Sequence, residues 1–162
     1  SSIVRSCRYF SSLKSPQIKN FDFNISHSKK YLLIGISQYG SIGVDIEEIK
    51  PVGAAVAKEY YTSKEQAYLN SFPKFKRKIV FYKLWTLKEA YVKAIGKGIS
   101  HPSRSYSIDF SRREIRVRSG NRKLPWHFKF SSIDKKYALA ICFSGNAHIN
   151  IIKYSKNPRN KI

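Results

Sequence analysis

Two short acidic segments, one of them with a lysine beside it, are the part of this sequence best suited to chemistry. Only 10 residues are acidic against 31 lysines and arginines, yet Asp45, Glu47 and Glu48 lie within four positions. Carboxylates this close repel one another, so a fold gathers them most readily where a cation neutralises them. Further along, Glu89 precedes Lys93 by four residues, which places both side chains on one face of a helix. A hard cation with an ammonium group beside it is suited to phosphoryl transfer.

Each of these residues also has an ordinary structural explanation. Asp45 and Glu47 could be surface residues of an edge strand. Glu89 and Lys93 could form an exposed ion pair that stabilises a helix by about 0.3–0.5 kcal/mol. Trp85, on the same predicted helix, is more typical of a core residue than of a ligand platform. Spacing alone leaves these alternatives open.

The elements that would position the acidic residues follow from hydrophobic periodicity. Residues 31–36 and 41–46 predict two strands, joined as a hairpin by a glycine-containing turn. On the second strand, Asp45 and Glu47 share one face while the apolar Val44 and Ile46 face the other way. This arrangement would present the two carboxylates side by side, as a chelating site requires.

Helices and further strands are predicted after the acidic strand. Ser63 and Gln66 form a candidate capping box for a helix that reaches about Asn70. Helical spacing then recurs from about residue 76 to residue 97. The rest of the chain predicts short antiparallel strands at 107–110, 114–118, 126–130, 136–143 and 148–154. The fold class is therefore α+β, with an antiparallel sheet packed against a long helix.

The segment 23–28, Phe-Asn-Ile-Ser-His-Ser, is predicted as a loop in front of the first strand. Its Ser26 hydroxyl and His27 imidazole, followed at once by Lys29 and Lys30, suit an anion. The alternative is a solvated loop histidine without a ligand. The other histidines are too far apart in the sequence to predict a zinc site.

The net charge of +21 favours an acidic partner, or reflects only a lysine-rich solvated surface. Cys7 and Cys142 are no disulfide framework, and Cys142 lies in an apolar run typical of a buried strand. No apolar run reaches the length of a membrane span. We therefore expect a soluble cytoplasmic protein with no membrane partner.

Three blocks, in this order, resemble the 4'-phosphopantetheinyl transferase superfamily, Sfp type. Residues 23–28 resemble the family's FNxSHS block, and IGVDIE at 42–47 matches its IGxDIE block. FYKLWTLKEAYVKAIGKG at 81–98 matches FYxxWxxKEaxxKaxGkG. The resemblance covers about residues 14 to 143. It suggests a linker-like segment, a transferase domain and a basic tail, at 1–20, 21–154 and 155–162.

The resemblance implies an Mg2+-dependent holo-[acyl-carrier-protein] synthase. Such an enzyme transfers the 4'-phosphopantetheine moiety of coenzyme A to a serine hydroxyl of an apo acyl or peptidyl carrier protein and releases adenosine 3',5'-bisphosphate. The resemblance assigns the metal to Asp45, Glu47 and Glu89, and catalysis to Glu89 and Lys93. It assigns contacts with coenzyme A to Ser26, His27, Lys88, Lys93 and Lys14. An acidic carrier protein is a natural partner for a strongly basic surface, which would steer the encounter.

Sfp-type members are pseudo-dimers of two α+β lobes with the active site between them, and this chain resembles the C-terminal lobe with the preceding linker. Three explanations for the missing N-terminal lobe stay open. The sequence could be incomplete at its N-terminus, which the absent initial Met supports and which we expect. The chain could self-associate to complete the cleft. It could also be a degenerate lobe that binds carrier proteins without catalysis.

A basic nucleic-acid-binding domain is the alternative from another functional class. Its support is the charge and the basic residues interleaved with aromatic ones at Arg112, Arg113, Arg116, Arg118 and 126–130. That alternative leaves the ordered acidic and lysine motifs unexplained. A nucleic-acid partner is therefore disfavoured.

Overall fold

The computed structural model describes residues 21–98, 101–110 and 114–145, and in these ranges strands precede and follow a block of helices. The strands are β1 (Asp22–Ser28), β2 (Tyr31–Ser37), β3 (Ile42–Glu48), β4 (Ser107–Asp109), β5 (Arg116–Ser119), β6 (Arg122–Lys123), β7 (Trp126–Ile133) and β8 (Tyr137–Ser144). The helices are α1 (Ala54–Tyr60), α2 (Ser63–Asn70) and α3 (Lys74–Ala94). The predicted α+β class is confirmed. None of these helices combines the length and the apolar character needed to span a bilayer.

Several predictions fall on residues outside these ranges. They concern the linker-like segment and its Lys14, the strand at 148–154, the basic tail at 155–162, and Cys7, Arg112 and Arg113.

The central sheet has the strand order β3–β8–β7 and is antiparallel throughout. Strand β8 lies in the middle and is covered on both faces. Ala140 and Cys142 belong to the core built on α3, while Leu139 and Ile141 belong to a second core on the opposite face. Burial on both sides explains why β8 is a continuous apolar run in the sequence. Strands β7 and β8 confirm the strands predicted at 126–130 and 136–143. Strands β4, β5 and β6 form a separate antiparallel sheet.

Strand β2 does not pair with β3, so the hairpin predicted between residues 31–36 and 41–46 is wrong. Instead, β2 forms an antiparallel hairpin with β1, with Ser28 opposite Tyr31 beside the turn. Strand β3 pairs with β8. The segment predicted as a loop is therefore strand β1. Its alternating polar residues resemble a loop in composition, and in the fold those residues contact β3.

Side chains of β1 bind the edge of β3 that β8 leaves free. Four backbone N–H groups of β3 donate to them: Ile42 to Asp22 Oδ2 (2.8 Å), Val44 to Asn24 Oδ1 (3.0 Å), Ile46 to Ser26 Oγ (3.2 Å) and Glu48 to Ser28 Oγ (3.1 Å). We call these four side chains the polar ladder. They satisfy edge donors that would otherwise be unpaired inside the protein.

Helix α2 begins one position earlier than its predicted capping box requires. Thr62 Oγ1 accepts from the Glu65 N–H (3.3 Å), and Glu65 Oε2 accepts from the Thr62 N–H (2.8 Å). The predicted pairing of Ser63 with Gln66 is wrong because these reciprocal bonds link Thr62 and Glu65. Helix α3 likewise begins and ends a few residues before its predicted bounds. Helix α1 was not predicted.

Helix α3 packs against β3 so closely that only glycine fits at position 43. A Cβ atom on Gly43 would lie 2.0 Å from Ala90 O and 2.4 Å from Ala94 N, both in the backbone of α3. Asp45 and Glu47 point to the same side of β3 as Gly43. The close contact therefore directs both carboxylates toward the helix that carries Glu89 and Lys93.

We expect Gly43→Ala to destabilise the fold by about 3 kcal/mol, because the new methyl group would force the helix backbone away from the strand. Gly53→Ala is the matched control, since a Cβ atom there would meet nothing within 4 Å. Urea unfolding followed by circular dichroism measures both. Equal stability of the two variants would contradict the close packing.

Candidate active site

Asp45 and Lys93 form the centre of the candidate site. Asp45 is buried on β3, and its Oδ1 atom lies 2.7 Å from Lys93 Nζ. The same ammonium group donates to Val44 O at 3.1 Å. An ammonium group has three donors, so these two bonds leave one for a further acceptor. Lys93 is partly exposed, which makes that donor accessible to a ligand.

The second carboxylate oxygen of Asp45 is buried and has no partner in the described part of the chain. Asp45 Oδ2 accepts no hydrogen bond from the described residues. Burial raises the pKa of Asp45, and the ammonium group of Lys93 opposes that rise. A buried carboxylate oxygen without a donor is costly. A divalent cation, which prefers oxygen ligands, would satisfy this oxygen.

Glu47 and Glu89 extend the negative charge around Asp45. Burial raises the pKa of Glu47, and the charge of Asp45 and then, more weakly, that of Glu89 add to the rise. This coupling indicates that the structure brings the three predicted carboxylates into one electrostatic neighbourhood. They do not form a closed chelate: in the described part of the chain, no three Asp, Glu, His or Cys side chains lie close enough to hold a metal ion.

Tyr60 is a site residue that sequence reasoning missed. Its hydroxyl group donates a hydrogen bond to Glu89 Oε1. Its ring stacks on Trp85 with the ring centroids 4.3 Å apart. Burial and the nearby Glu89 carboxylate raise the pKa of Tyr60, so its hydroxyl remains a donor at neutral pH. The sequence pattern did not predict helix α1, which ends at Tyr60, and therefore gave no indication of this contact.

Lys88 lies in the protein interior and not at the candidate site. Its ammonium group contacts Glu65 Oε1 (3.0 Å) and Oε2 (3.1 Å) and donates to Tyr106 O (3.1 Å). The side chains of Lys88 and Glu65 have no exposed surface. Burial lowers the pKa of Lys88, and the Glu65 carboxylate opposes that shift. Its three donors are used inside the fold, so Lys88 has none left for the predicted contact with coenzyme A.

Ser26 and His27 point to opposite faces of β1. Ser26 is buried, and its hydroxyl donates to Asp45 Oδ1 at 3.1 Å while it accepts from the Ile46 N–H. His27 is exposed on the outer face of the hairpin, opposite Leu32. The structure therefore brings Ser26 to the acidic site and leaves His27 on a different surface. Lys14 lies outside the described residues.

Comparison with known proteins identifies one family. Residues 41–142 match the family described as "4'-phosphopantetheinyl transferase superfamily". The chain is 35% identical over 127 residues to the 4'-phosphopantetheinyl transferase psf-1 of Bacillus pumilus, covering 78% of this chain and 54% of the relative. It is 30% identical over 128 residues to the 4'-phosphopantetheinyl transferase Sfp of Bacillus subtilis (strain 168), covering 78% and 57%. The chain thus spans about half the length of these curated relatives.

A solved structure shares the fold. It is a holo-(acyl-carrier-protein) synthase from Bacillus anthracis in complex with CoA (3',5'-ADP). The similarity has a TM-score of 0.55 at 20% sequence identity and covers 65% of this chain and 96% of that one. At this identity the likeness concerns the fold alone.

We expect Lys88→Met to destabilise the protein by about 3–5 kcal/mol, because it leaves the buried Glu65 carboxylate unpaired. The double variant Lys88→Met/Glu65→Gln should lose less than the sum of the two single variants, since it removes both charges together. Urea unfolding of the four proteins in this cycle gives the coupling energy. A coupling energy near zero would contradict the buried ion pair.

Proposed function

The chain belongs to the 4'-phosphopantetheinyl transferase superfamily, and from this premise we propose that it transfers 4'-phosphopantetheine from coenzyme A to a serine hydroxyl of an apo acyl or peptidyl carrier protein. The products are the phosphopantetheinylated carrier protein and adenosine 3',5'-bisphosphate. The whole activity is a proposal, because the chain spans about half of its curated relatives.

The geometry around Asp45 is the observation that carries this proposal. A buried carboxylate with one oxygen bound to a lysine and the other oxygen free is suited to a cation and an anionic ligand at once. A site for a pyrophosphate ester needs both of these, since a cation and an ammonium group share the charge of the phosphate oxygens. A structural ion pair alone would not require the free, buried oxygen.

We propose that Asp45, Glu47 and Glu89 hold Mg2+. All three supply carboxylate oxygens, the ligand type that Mg2+ prefers, and Asp45 Oδ2 has no donor among the described residues. In the described structure the three carboxylates lie too far apart to share one ion, so binding would draw them together. When bound, the ion would neutralise charge that develops on the pyrophosphate of coenzyme A.

Glu89 would act on the attacking serine, and Lys93 would act on the leaving group. The serine oxygen of the carrier attacks the β-phosphorus of coenzyme A, and the bond from that phosphorus to adenosine 3',5'-bisphosphate breaks. Glu89 Oε2 would accept the serine proton, since Oε1 is bound by the Tyr60 hydroxyl. The third donor of Lys93 would bind an oxygen of the leaving bisphosphate.

Contacts with the rest of coenzyme A are proposed for fewer residues than the resemblance implied. His27 is exposed and can meet a phosphate group. Ser26 is not proposed as a contact with coenzyme A, because its hydroxyl already donates to the Asp45 carboxylate and accepts from β3. Lys14 remains a sequence-based proposal.

The outer face of the β1–β2 hairpin supports the proposal that the cleft is completed by a second lobe or a second copy. Leu32, Ile34 and Ile36 are exposed there, each with more than 40% of its surface accessible. Apolar side chains in such a row mark a contact surface. His27 lies on the same face, so a covering lobe would contact His27.

Intact-mass spectrometry of an apo carrier protein, incubated with this chain, coenzyme A and Mg2+, tests the proposed function. We expect a mass gain of one phosphopantetheine and a rate at least about 100-fold lower for Glu89→Gln, which retains the shape but not the basicity of the side chain. Glu59→Gln, at an exposed position of α1, is the control and should match the unsubstituted chain.

Two outcomes of that experiment are informative. Normal transfer by Glu89→Gln would contradict the role of Glu89. A folded chain that binds coenzyme A and the carrier but transfers nothing would favour a non-catalytic binding lobe. Light scattering on the same samples reports whether active protein is monomeric or self-associated.

We expect Tyr60→Phe to lower kcat by about tenfold, because a hydrogen bond to a charged carboxylate contributes about 1.5–3 kcal/mol. The ring stack on Trp85 is retained, so the fold should be unchanged. Titration calorimetry with Mg2+ should also show weaker binding. Tyr61→Phe is the control, since its hydroxyl donates to Phe81 O, away from the site. Equal kinetics for the two variants would contradict the positioning role of Tyr60.

A further inference from the structure

The first turns of α3 expose two large apolar side chains. Phe75 is 76% exposed and Ile79 is 45% exposed. The positions 75, 79, 82, 86, 89 and 93 are separated by alternating steps of four and three residues, so they follow one face of the helix. The exposed pair therefore lies on the face that carries Glu89 and Lys93. The rise along an α-helix places Ile79 about 15 Å from Glu89.

Lysines surround this exposed pair. At the angular spacing of an α-helix, Lys76 and Lys78 lie on either side of the stripe through Phe75 and Ile79, and Lys74 precedes it. All three lysines are exposed. The ion pairs of the described residues do not include them. We call Phe75, Ile79 and these three lysines the basic face of α3.

The position of these charges is unfavourable for the isolated chain. The N-terminus of a helix carries partial positive charge, which acidic residues stabilise and lysines destabilise. The first turn of α3 has no acidic residue, and the N-cap residue, Pro73, makes no side-chain hydrogen bond. Arg77 has a separate role, because it donates to Phe72 O (2.8 Å) and Asn70 O (3.0 Å) at the end of α2. An acidic partner would offset the repulsion among the remaining cations.

We propose that the basic face of α3 is the docking surface for the acidic carrier protein. The inference rests on the proposed function and names where its protein substrate binds. A carrier surface with apolar residues bordered by Asp and Glu would bury Phe75 and Ile79 and pair with the flanking lysines. Docked along α3, such a protein extends toward Glu89, the residue proposed to accept the serine proton.

The apolar pair favours a protein over a nucleic acid as the partner. Nucleic acids are bound by cations and polar donors at their phosphates and by aromatic rings that stack on their bases. Ile79 offers neither a charge nor a ring, so its exposed side chain is suited to contact with a second apolar surface. Charge on both sides of an apolar stripe is the arrangement of a protein interface with a polar rim.

The test measures binding of a purified, fluorescently labelled, acidic apo acyl carrier protein to the full chain without coenzyme A. The variant Lys74→Glu/Lys76→Glu/Lys78→Glu should weaken the Kd by about tenfold or more and flatten its dependence on salt. The matched control, Lys129→Glu/Lys135→Glu/Lys136→Glu, changes the net charge by the same amount at exposed positions on and beside β7. It should change the Kd by less than about twofold.

The apolar contribution is tested separately. Phe75→Ser/Ile79→Ser should also weaken the Kd by about tenfold. Tyr39→Ser, at a position between β2 and β3 that is as exposed as Phe75, should leave it unchanged. Melting curves of all variants report whether each is folded. Hydrogen exchange should show protection of residues 74–82 when the carrier is added.

Several outcomes would overturn the inference. These are no measurable carrier binding by the unsubstituted chain, equal loss in both charge-reversed variants, or protection confined to the hairpin. In another outcome, the chain binds a DNA duplex more tightly than the carrier and loses that binding only in the Lys74→Glu/Lys76→Glu/Lys78→Glu variant. That result would assign the face to nucleic acid. Because this assay omits coenzyme A, its result is independent of the transfer experiment. A failed transfer with intact docking would count against the proposed activity alone.

Discussion

Strand β3 and helix α3 touch backbone to backbone at Gly43, and the candidate site depends on that contact. The absence of a side chain lets the strand approach Ala90 and Ala94 more closely than any other residue would allow. Two positions further along the strand, Asp45 then reaches Lys93 at 2.7 Å. Glu89 lies one helical turn before Lys93, which brings it into the same electrostatic field. A wider separation between strand and helix would divide the site into two unrelated ion pairs.

The polar ladder of β1 supplies the other support of β3. Backbone pairing with β8 satisfies one edge of β3, and side chains from β1 satisfy the other. Ser26 connects this scaffold to the candidate site, since one hydroxyl group accepts from the Ile46 N–H and donates to Asp45. A motif that suggests ligand binding by composition can therefore serve first to hold a strand. Within this arrangement, the Ser26 hydroxyl fixes one oxygen of the Asp45 carboxylate by a hydrogen bond.

Two lysines of α3 differ in burial, and the difference decides which of them can bind a ligand. Lys88 is fully enclosed and binds Glu65 and a backbone carbonyl, so its charge is compensated within the protein. Lys93 is partly exposed, retains a donor, and faces a carboxylate with one free oxygen. A fully satisfied buried pair has no capacity left for a ligand. The incompletely satisfied pair is the one available for binding, which is why the proposed function rests on Lys93.

The sequence by itself determined the fold class, the long helix, the strands β7 and β8, and the shared face of Asp45 and Glu47. These features depend on periodicity and spacing within one segment, which a linear pattern records. Only the tertiary structure decided that β1 is a strand, that β2 pairs with β1, that Tyr60 binds Glu89 and that Lys88 is buried. Each of these depends on which distant segments become neighbours. The polar ladder joins residues 20 positions apart, and the pattern within either segment does not specify which distant segment it will contact.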